Sequence, residues 1–347
     1  MSYISFQPKD YFNTKLYTGT GSSNAQTGVG FQPDWLWIKD RDSGSNSHII
    51  TDAIRGTNKI IFTDSNGVEL TDANRVTSFN SDGFTVGTDG STNTNTNDYV
   101  SWNWKANGQG SSNTDGTINT TYTSANTTSG FSIVKYVGTG SNATIGHGLN
   151  TAPTAIFVKN LDAAEQWINY DVSNGPTKYY HLNLTDAAAT GSTIWNNTAP
   201  TTSVFSVGTV ANVNSSGANY VAYCFSNITG FSKVGSYTGN GNADGTFIYT
   251  GFRSAMIIFK QTSASGEKWY IYDNKRNAFN ITNSVLFPSA SDAESSATTG
   301  APIDILSNGF KLRGTDAAGN GSGSTYIYMA FAEAPLVSSN GVPAVAR

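Results

Sequence analysis

Three aspartates end three short apolar segments of one pattern: HIITD at Asp52, WINYD at Asp171 and WYIYD at Asp273. Carboxylates used in pairs hydrolyse glycosides, one as acid and one as base or nucleophile, and the pair must stand within several ångströms. These three hold the same place in separate segments, which predicts isolation and a strand-end role accepting turn hydrogen bonds. The histidines, His48, His147 and His181, show none of the spacings that bind zinc. The loop GTGSSNAQTGVG (Gly19 to Gly30) lacks the lysine and the strand-to-helix context of a phosphate loop. Asp64 to Asp72, Asp89 to Asp98 and Asp316 to Ser324 are rich in oxygen ligands, but none follows a calcium-loop framework. No catalytic residue, metal or cofactor is expected.

Aromatic side chains are the better functional material. Of the tryptophans, Trp195 alone sits in a loop-like setting, GSTIWNNTAP, beside Asn196 and Asn197. That trio predicts an exposed ring stacking on a sugar face while the amides bond its hydroxyls, a glycan contact. Near the start of the chain, Tyr3, Phe6, Tyr11 and Phe12 give more aromatic content than a solvated tail carries. They predict a docking arm that packs on a neighbour or on the first domain.

Those residues must be positioned by something repetitive. YTGTGSS (Tyr17 to Ser23) returns as YVGTGSN (Tyr136 to Asn142) and YTGNGNA (Tyr237 to Ala243). Each copy leads through an apolar run, the Asp-ended segment and a Gly-containing segment to an alternating aromatic strand: DYVSWNWKA, NYVAYCFSN or TYIYMAFAE. The order repeats three times, which predicts an internal triplication. The expected layout is an arm at 1–16, repeats at 17–107, 131–227 and 228–334, a polar linker at 108–130 and an extended tail at 335–347. Val100, Trp102 and Trp104 alternate with polar neighbours, as a half-buried strand would. Only Asp162 to Trp167 and Ser291 to Ala297 suggest helical turns.

Charged residues make up 13% of the chain, replaced by Gly, Ser, Thr and Asn, which favour turns and strands over helix. The fold predicted is all-β: three tandem antiparallel β-sandwich domains, jelly-roll or lectin-like. A net charge of −4 offers no basic stripe for nucleic acid. No apolar run is long enough for membrane insertion. The first residues lack a secretory pattern and Cys224 stands alone, yet the surface composition is that of an extracellular protein. A virion component, assembled in the host cytoplasm and released by lysis, combines these properties.

The whole chain resembles a class of bacteriophage virion proteins, especially of marine and cyanobacterial phages. The resemblance rests on SFQPKDYFNTKLYTGTG (Ser5 to Gly21), GVGFQPDWLWIKDRD (Gly28 to Asp42), FNSDGFTVG and YIYMAFAEAP (Tyr326 to Pro335). It implies a tail-fibre-like structural protein of the virion surface with concanavalin-like sandwich domains, and it carries over no catalytic residues. The function expected is therefore a non-enzymatic appendage that recognises host-surface glycans. The alternative is a capsid, collar or tail decoration protein. Other virion proteins are the expected partners. Fibres are often homotrimers, so a homo-oligomer is expected, although three repeats in one chain offer a threefold body without one.

Overall fold

The computed structural model describes residues 4–296, 301–337 and 343–345. Its strands form several antiparallel sheets, and α-helix is confined to single turns: Gly90–Asn93, Ser192–Trp195 and Ala211–Asn214. The all-β class is as expected. The two anticipated helical turns are absent: 162–167 is irregular, and 291–296 is irregular up to the two-residue strand Ser295–Ser296. Glu294 explains the second case. Its N–H donates to the Arg41 carbonyl at 2.7 Å, which stretches the segment across another sheet.

Three large sheets share one strand order. The first runs Phe12–Thr18, Asp98–Trp104, Trp35–Asp40, Ile49–Asp52, then Gly56–Phe62 and Leu70–Thr71. The second runs Tyr122–Asn126, Phe131–Val137, Asn219–Phe225, Ala155–Asn160, Ile168–Asp171. The third runs Ser232–Thr238, Thr325–Pro335, Phe252–Gln261, Tyr270–Asp273. In each, the closing aromatic strand lies between the opening strand and the apolar run. A smaller sheet covers one face, for example Asn24–Thr27 with Gly83–Val86 and Val76–Asn80 on the first.

The other face of each large sheet meets its two counterparts. Tyr99 packs with Leu36, Ile38 and Phe84 under the small sheet, whereas Val100, Trp102 and Trp104 enter a core shared by all three sheets. The strand expected to be half-buried is thus buried on both faces. Trp104, Phe225 and Phe331, one from each closing strand, meet at the centre with ring centroids 6.4, 5.7 and 5.3 Å apart. Burial of a side chain this size gains on the order of 3 kcal/mol, so the shared rings drive the sheets together.

The repeated glycine loop is held by one asparagine in each unit. Asn93 Oδ1 accepts from Thr20 N at 2.8 Å while its Nδ2 donates to the carbonyls of Ser22 and Gly87. Asn214 and Asn320 do the same for the loops after Tyr136 and Tyr237. The two glycines of GTG have different tasks. A Cβ on Gly19 would fall 2.0 Å from the Thr94 carbonyl, and on Gly138 or Gly239 2.3 Å from a carbonyl. Gly21, Gly140 and Gly241 instead take φ near 70° (70°, 74° and 65°), open to glycine at little cost.

Residues 108–130, expected as a linker, are folded onto the second unit. Tyr122–Asn126 pairs with Phe131–Val137 as an added edge strand, and Ile118 bridges Ile145. The hydroxyls that suggested flexibility bond each other: Thr120 Oγ1 to Thr123 Oγ1 at 2.9 Å, and Ser112 Oγ to the Thr120 carbonyl at 2.7 Å. The boundaries at the ends also move. Phe12 begins a strand inside the expected arm, and the closing strand runs into the expected tail as far as Pro335.

Candidate functional site

The three aspartates sit where large sheets meet, at three seams. Each uses one carboxylate oxygen as a turn acceptor: Asp52 Oδ1 takes Ile54 N and Arg55 N, and Asp171 and Asp273 repeat this two and three residues on. The second oxygen does something the sequence did not announce. At the first–second seam, Asp52 Oδ2 accepts from Arg55 Nε at 2.6 Å and from Tyr223 Oη of the second sheet at 2.7 Å. Arg55 also reaches Glu69 at 3.1 Å. At the third–first seam, Asp273 Oδ2 accepts from Arg276 Nε at 2.6 Å and from Trp102 Nε1 of the first sheet at 3.2 Å. Arg276 in turn meets Glu294, which also pairs with Arg41 of the first unit.

Both Asp–Arg pairs are fully buried. Burial opposes the Arg55 charge, and Asp52, with Tyr223 and Glu69, more than restores it, so its pKa is raised. Burial likewise opposes ionisation of Glu294, but the Arg41 and Arg276 guanidiniums outweigh it and hold the carboxyl below its ordinary value.

The second–third seam departs from this pattern. Asn174 stands where Arg55 and Arg276 stand, and bonds Asp171 at 3.1 and 3.3 Å. Ala188 stands in place of Glu69 and Glu294, since its N–H makes the same cross-seam bond, here to the Thr262 carbonyl at 3.0 Å. Met329 replaces Tyr223 and Trp102, so the closing strand brings no donor across this seam, and Tyr180 of the second unit faces Asp171 instead. A cavity of about 20 Å³ lies there, lined by Asn169, Asp171, Trp269 and Met329 among others. Burial holds the Asp171 pKa above its ordinary value.

A second ring of contacts links all three seams. Trp167 Nε1 donates to the Phe62 carbonyl at 2.8 Å and Trp269 Nε1 to the His181 carbonyl at 2.9 Å. His48 holds the equivalent place and faces the Phe287 carbonyl. Its Nδ1 accepts from Trp37 Nε1 at 3.0 Å, which leaves the proton on Nε2. Burial first, then the charges of Lys39 and Arg276, keep this imidazole neutral by pushing its pKa well down. Three fully buried lysines complete the seams. Lys39, Lys159 and Lys260 donate to backbone carbonyls, Lys159 to Asn66 of the first unit and Lys260 to Thr185 of the second. Burial pushes each of their pKa values down to about 8.

The predicted glycan contact is not brought together. Trp195 is 2% exposed, in the helical turn Ser192–Trp195 with Ile194, and its ring lies edge-on to Tyr170 at 5.8 Å. Asn196 and Asn197 are exposed and take left-handed backbone, ending that turn. The adjacent Ile194 is the signal that this segment faces inward. Of the predicted docking residues, Tyr3 lies outside the described residues. Phe12 is buried against Trp104 and Phe331 at 4.7 and 5.2 Å. Phe6 packs on Tyr11 and Phe231 at 4.9 and 5.5 Å. The described arm therefore docks within the chain, against Phe231 and Phe331 of the third unit, where the shared core offers its rings an apolar surface.

These features define an all-β protein of several antiparallel sheets whose ionisable groups work as inter-sheet ties. A family model described as a domain of unknown function (DUF7483) matches residues 7–335, and the chain belongs to that family. No curated protein matches it.

Proposed function

We propose that this chain is a non-enzymatic structural protein of a bacteriophage virion, a surface appendage of the tail-fibre kind that recognises host-surface glycans. One observation carries the reading. The aspartates, arginines and lysines best placed for chemistry are spent inside the seams, at Asp52–Arg55, Asp273–Arg276 and the three buried lysines. Protein–ligand work is then left to a hydroxyl- and amide-rich exterior, which suits saccharides.

The three units read as one lectin-like or jelly-roll β-sandwich present in triplicate. Support comes from the shared strand order, the three loop-holding asparagines and the ring of cross-seam carbonyl contacts. Each unit bonds both others, so a single chain supplies the threefold symmetry that fibres otherwise take from three chains. Other virion proteins would be its attachment partners. Immunogold labelling of intact virions tests the proposal: label at distal tips of tail appendages is expected. Label spread over the capsid or along the tail would replace it with a decoration role.

A further inference from the structure

A cavity of about 450 Å³ opens at the third unit beside Tyr249. We infer that this groove is a binding site for a neutral saccharide, with the Tyr249 ring as its stacking platform; the inference rests on the glycan-recognition reading and locates its site.

Tyr249 is 52% exposed, and its neighbour on the same strand face, Phe247, is 44% exposed. Phe279 is exposed too, at 77%, but away from the groove; what sets Phe247 and Tyr249 apart is that the corresponding positions of the other units carry no rings. Tyr249 pairs with Gly309 in the small sheet of the third unit; Thr27 and Gly146 hold that place opposite Gly83 and Val204. Phe247 likewise corresponds to Ala25 and Thr144. At these positions one unit in three therefore presents aromatic rings where the others carry small residues.

The ring is held in place before any ligand arrives. It lies over Gly251, where an added Cβ would sit 3.6 Å from the tyrosine oxygen. Lys233 Nζ donates to the Tyr249 carbonyl at 3.0 Å and stands 5.4 Å from the ring centroid. A fixed aromatic wall loses little entropy on binding. Tyrosine adds a hydroxyl to an apolar face, the combination that a sugar's C–H face and hydroxyls match. Exposed Thr229 adds a hydroxyl to the same groove, while the Asn227 amide and the Thr250 hydroxyl behind it are bonded to Val234 and Phe252 and fix the groove's wall.

The chemistry excludes a charged ligand. Among the described residues no carboxylate or guanidinium lines the groove, and the one cation there, Lys233, is already set against a carbonyl and over the ring. A polyhydroxylated neutral ligand fits, and the volume admits one or two sugar rings, within the range of ordinary ligand sites.

The test is an array of glucose, galactose and N-acetylglucosamine oligomers probed with the full chain, followed by calorimetric titration of each hit. Binding to at least one oligomer is expected. Tyr249→Ala should weaken it at least tenfold with an unchanged melting temperature, Tyr249→Phe should keep most of it, and Asn196→Ala with Asn197→Ala should change nothing. Binding that Tyr249→Ala leaves intact overturns the inference, as does a blank array. Labelled chain applied to a panel of cultured marine bacteria and cyanobacteria separates the two levels. Cells bound equally by the parent and by Tyr249→Ala would leave glycan recognition standing without this site; cells bound by neither would remove that reading too.

Discussion

Replacing Arg55 by Met removes the cation from a fully buried cluster. The loss takes away the 2.6 Å bond to Asp52, the 3.1 Å bond to Glu69 and the contacts at 3.3 Å to Tyr223 and to the Ile50 and Lys59 carbonyls. What remains is a buried Asp52 carboxylate whose only side-chain donor is the Tyr223 hydroxyl. Breaking a buried ion pair from one side costs about 3–5 kcal/mol. Unfolding entropy of roughly 2.1 cal/mol/K per residue then gives a fall in melting temperature of about 4–7 °C for a chain of 347 residues. Asn174→Met at the second–third seam removes only bonds from an uncharged amide to the Asp171 carboxyl, a cost of about 1–3 kcal/mol, or about 1–4 °C. The assay is differential scanning calorimetry of both variants beside the parent. The double variant Asp52→Asn, Arg55→Met should recover most of the loss, because removing both charges leaves no unpaired ion. Equal shifts from Arg55→Met and Asn174→Met would refute the idea that two seams are locked by charge and one is not.

Alkaline pH should stabilise the fold before it weakens it. Lys39, Lys159 and Lys260 titrate at about 8 when folded against 10.5 in the free chain, so from about pH 8 upward the unfolded state holds more protons and stability rises. Tyr17, Tyr136 and Tyr237, whose pKa burial raises well above 10.0, reverse the trend from about pH 10. Chemical denaturation across this range should show the maximum, and a flat profile would contradict it. At the acid end, Glu294 has its folded pKa depressed. Its contribution is complete above the ordinary glutamate value and disappears as pH falls through the folded value, so Glu294→Gln should flatten the stability curve below about pH 5. Gly138→Ala must displace the Ser215 carbonyl 2.3 Å away and should cost several kcal/mol, about the upper range for a single substitution, measured by urea unfolding. Trp195→Ala should cost about 3–5 kcal/mol while leaving any saccharide binding unchanged.

Much of the architecture was legible because it is written locally. The GTG loop, the aromatic alternation at Trp102 and Trp104 and the turn role of Asp52 each depend on residues a few positions apart. The cross-seam role of Asp52 does not: its donor Tyr223 lies 171 positions away, and that of Asp273, Trp102, is equally distant. A weak signal existed in D-x-x-R at Asp52 and Asp273, missing at Asp171, where Asn174 follows. Trp195 misled because Asn and Thr around it suggested exposure, while a single helical turn was enough to carry Ile194 and Trp195 inward. The segment 108–130 shows the same limit. Its composition is that of a flexible connector, yet its hydroxyls find partners once a sheet edge is beside them. The rings at Phe247 and Tyr249 could not be told from core by sequence, since only the pairing register puts them on the outer face.

The unlocked seam is also the one with the shortest covalent leash. Between the end of the second closing strand at Phe225 and the start of the third unit at Ser232 the backbone makes a tight reversal, with Ile228 bonded to Ser232. Such a tether holds the two surfaces at a high effective concentration, so they need less attraction of their own. The third–first pair has no such connection and keeps Asp273, Arg276, Glu294 and the Phe6 and Phe12 rings. A single proteolytic nick at exposed Thr229 would turn the leashed contact into an encounter between free ends, and the third unit would then stay seated chiefly through the first.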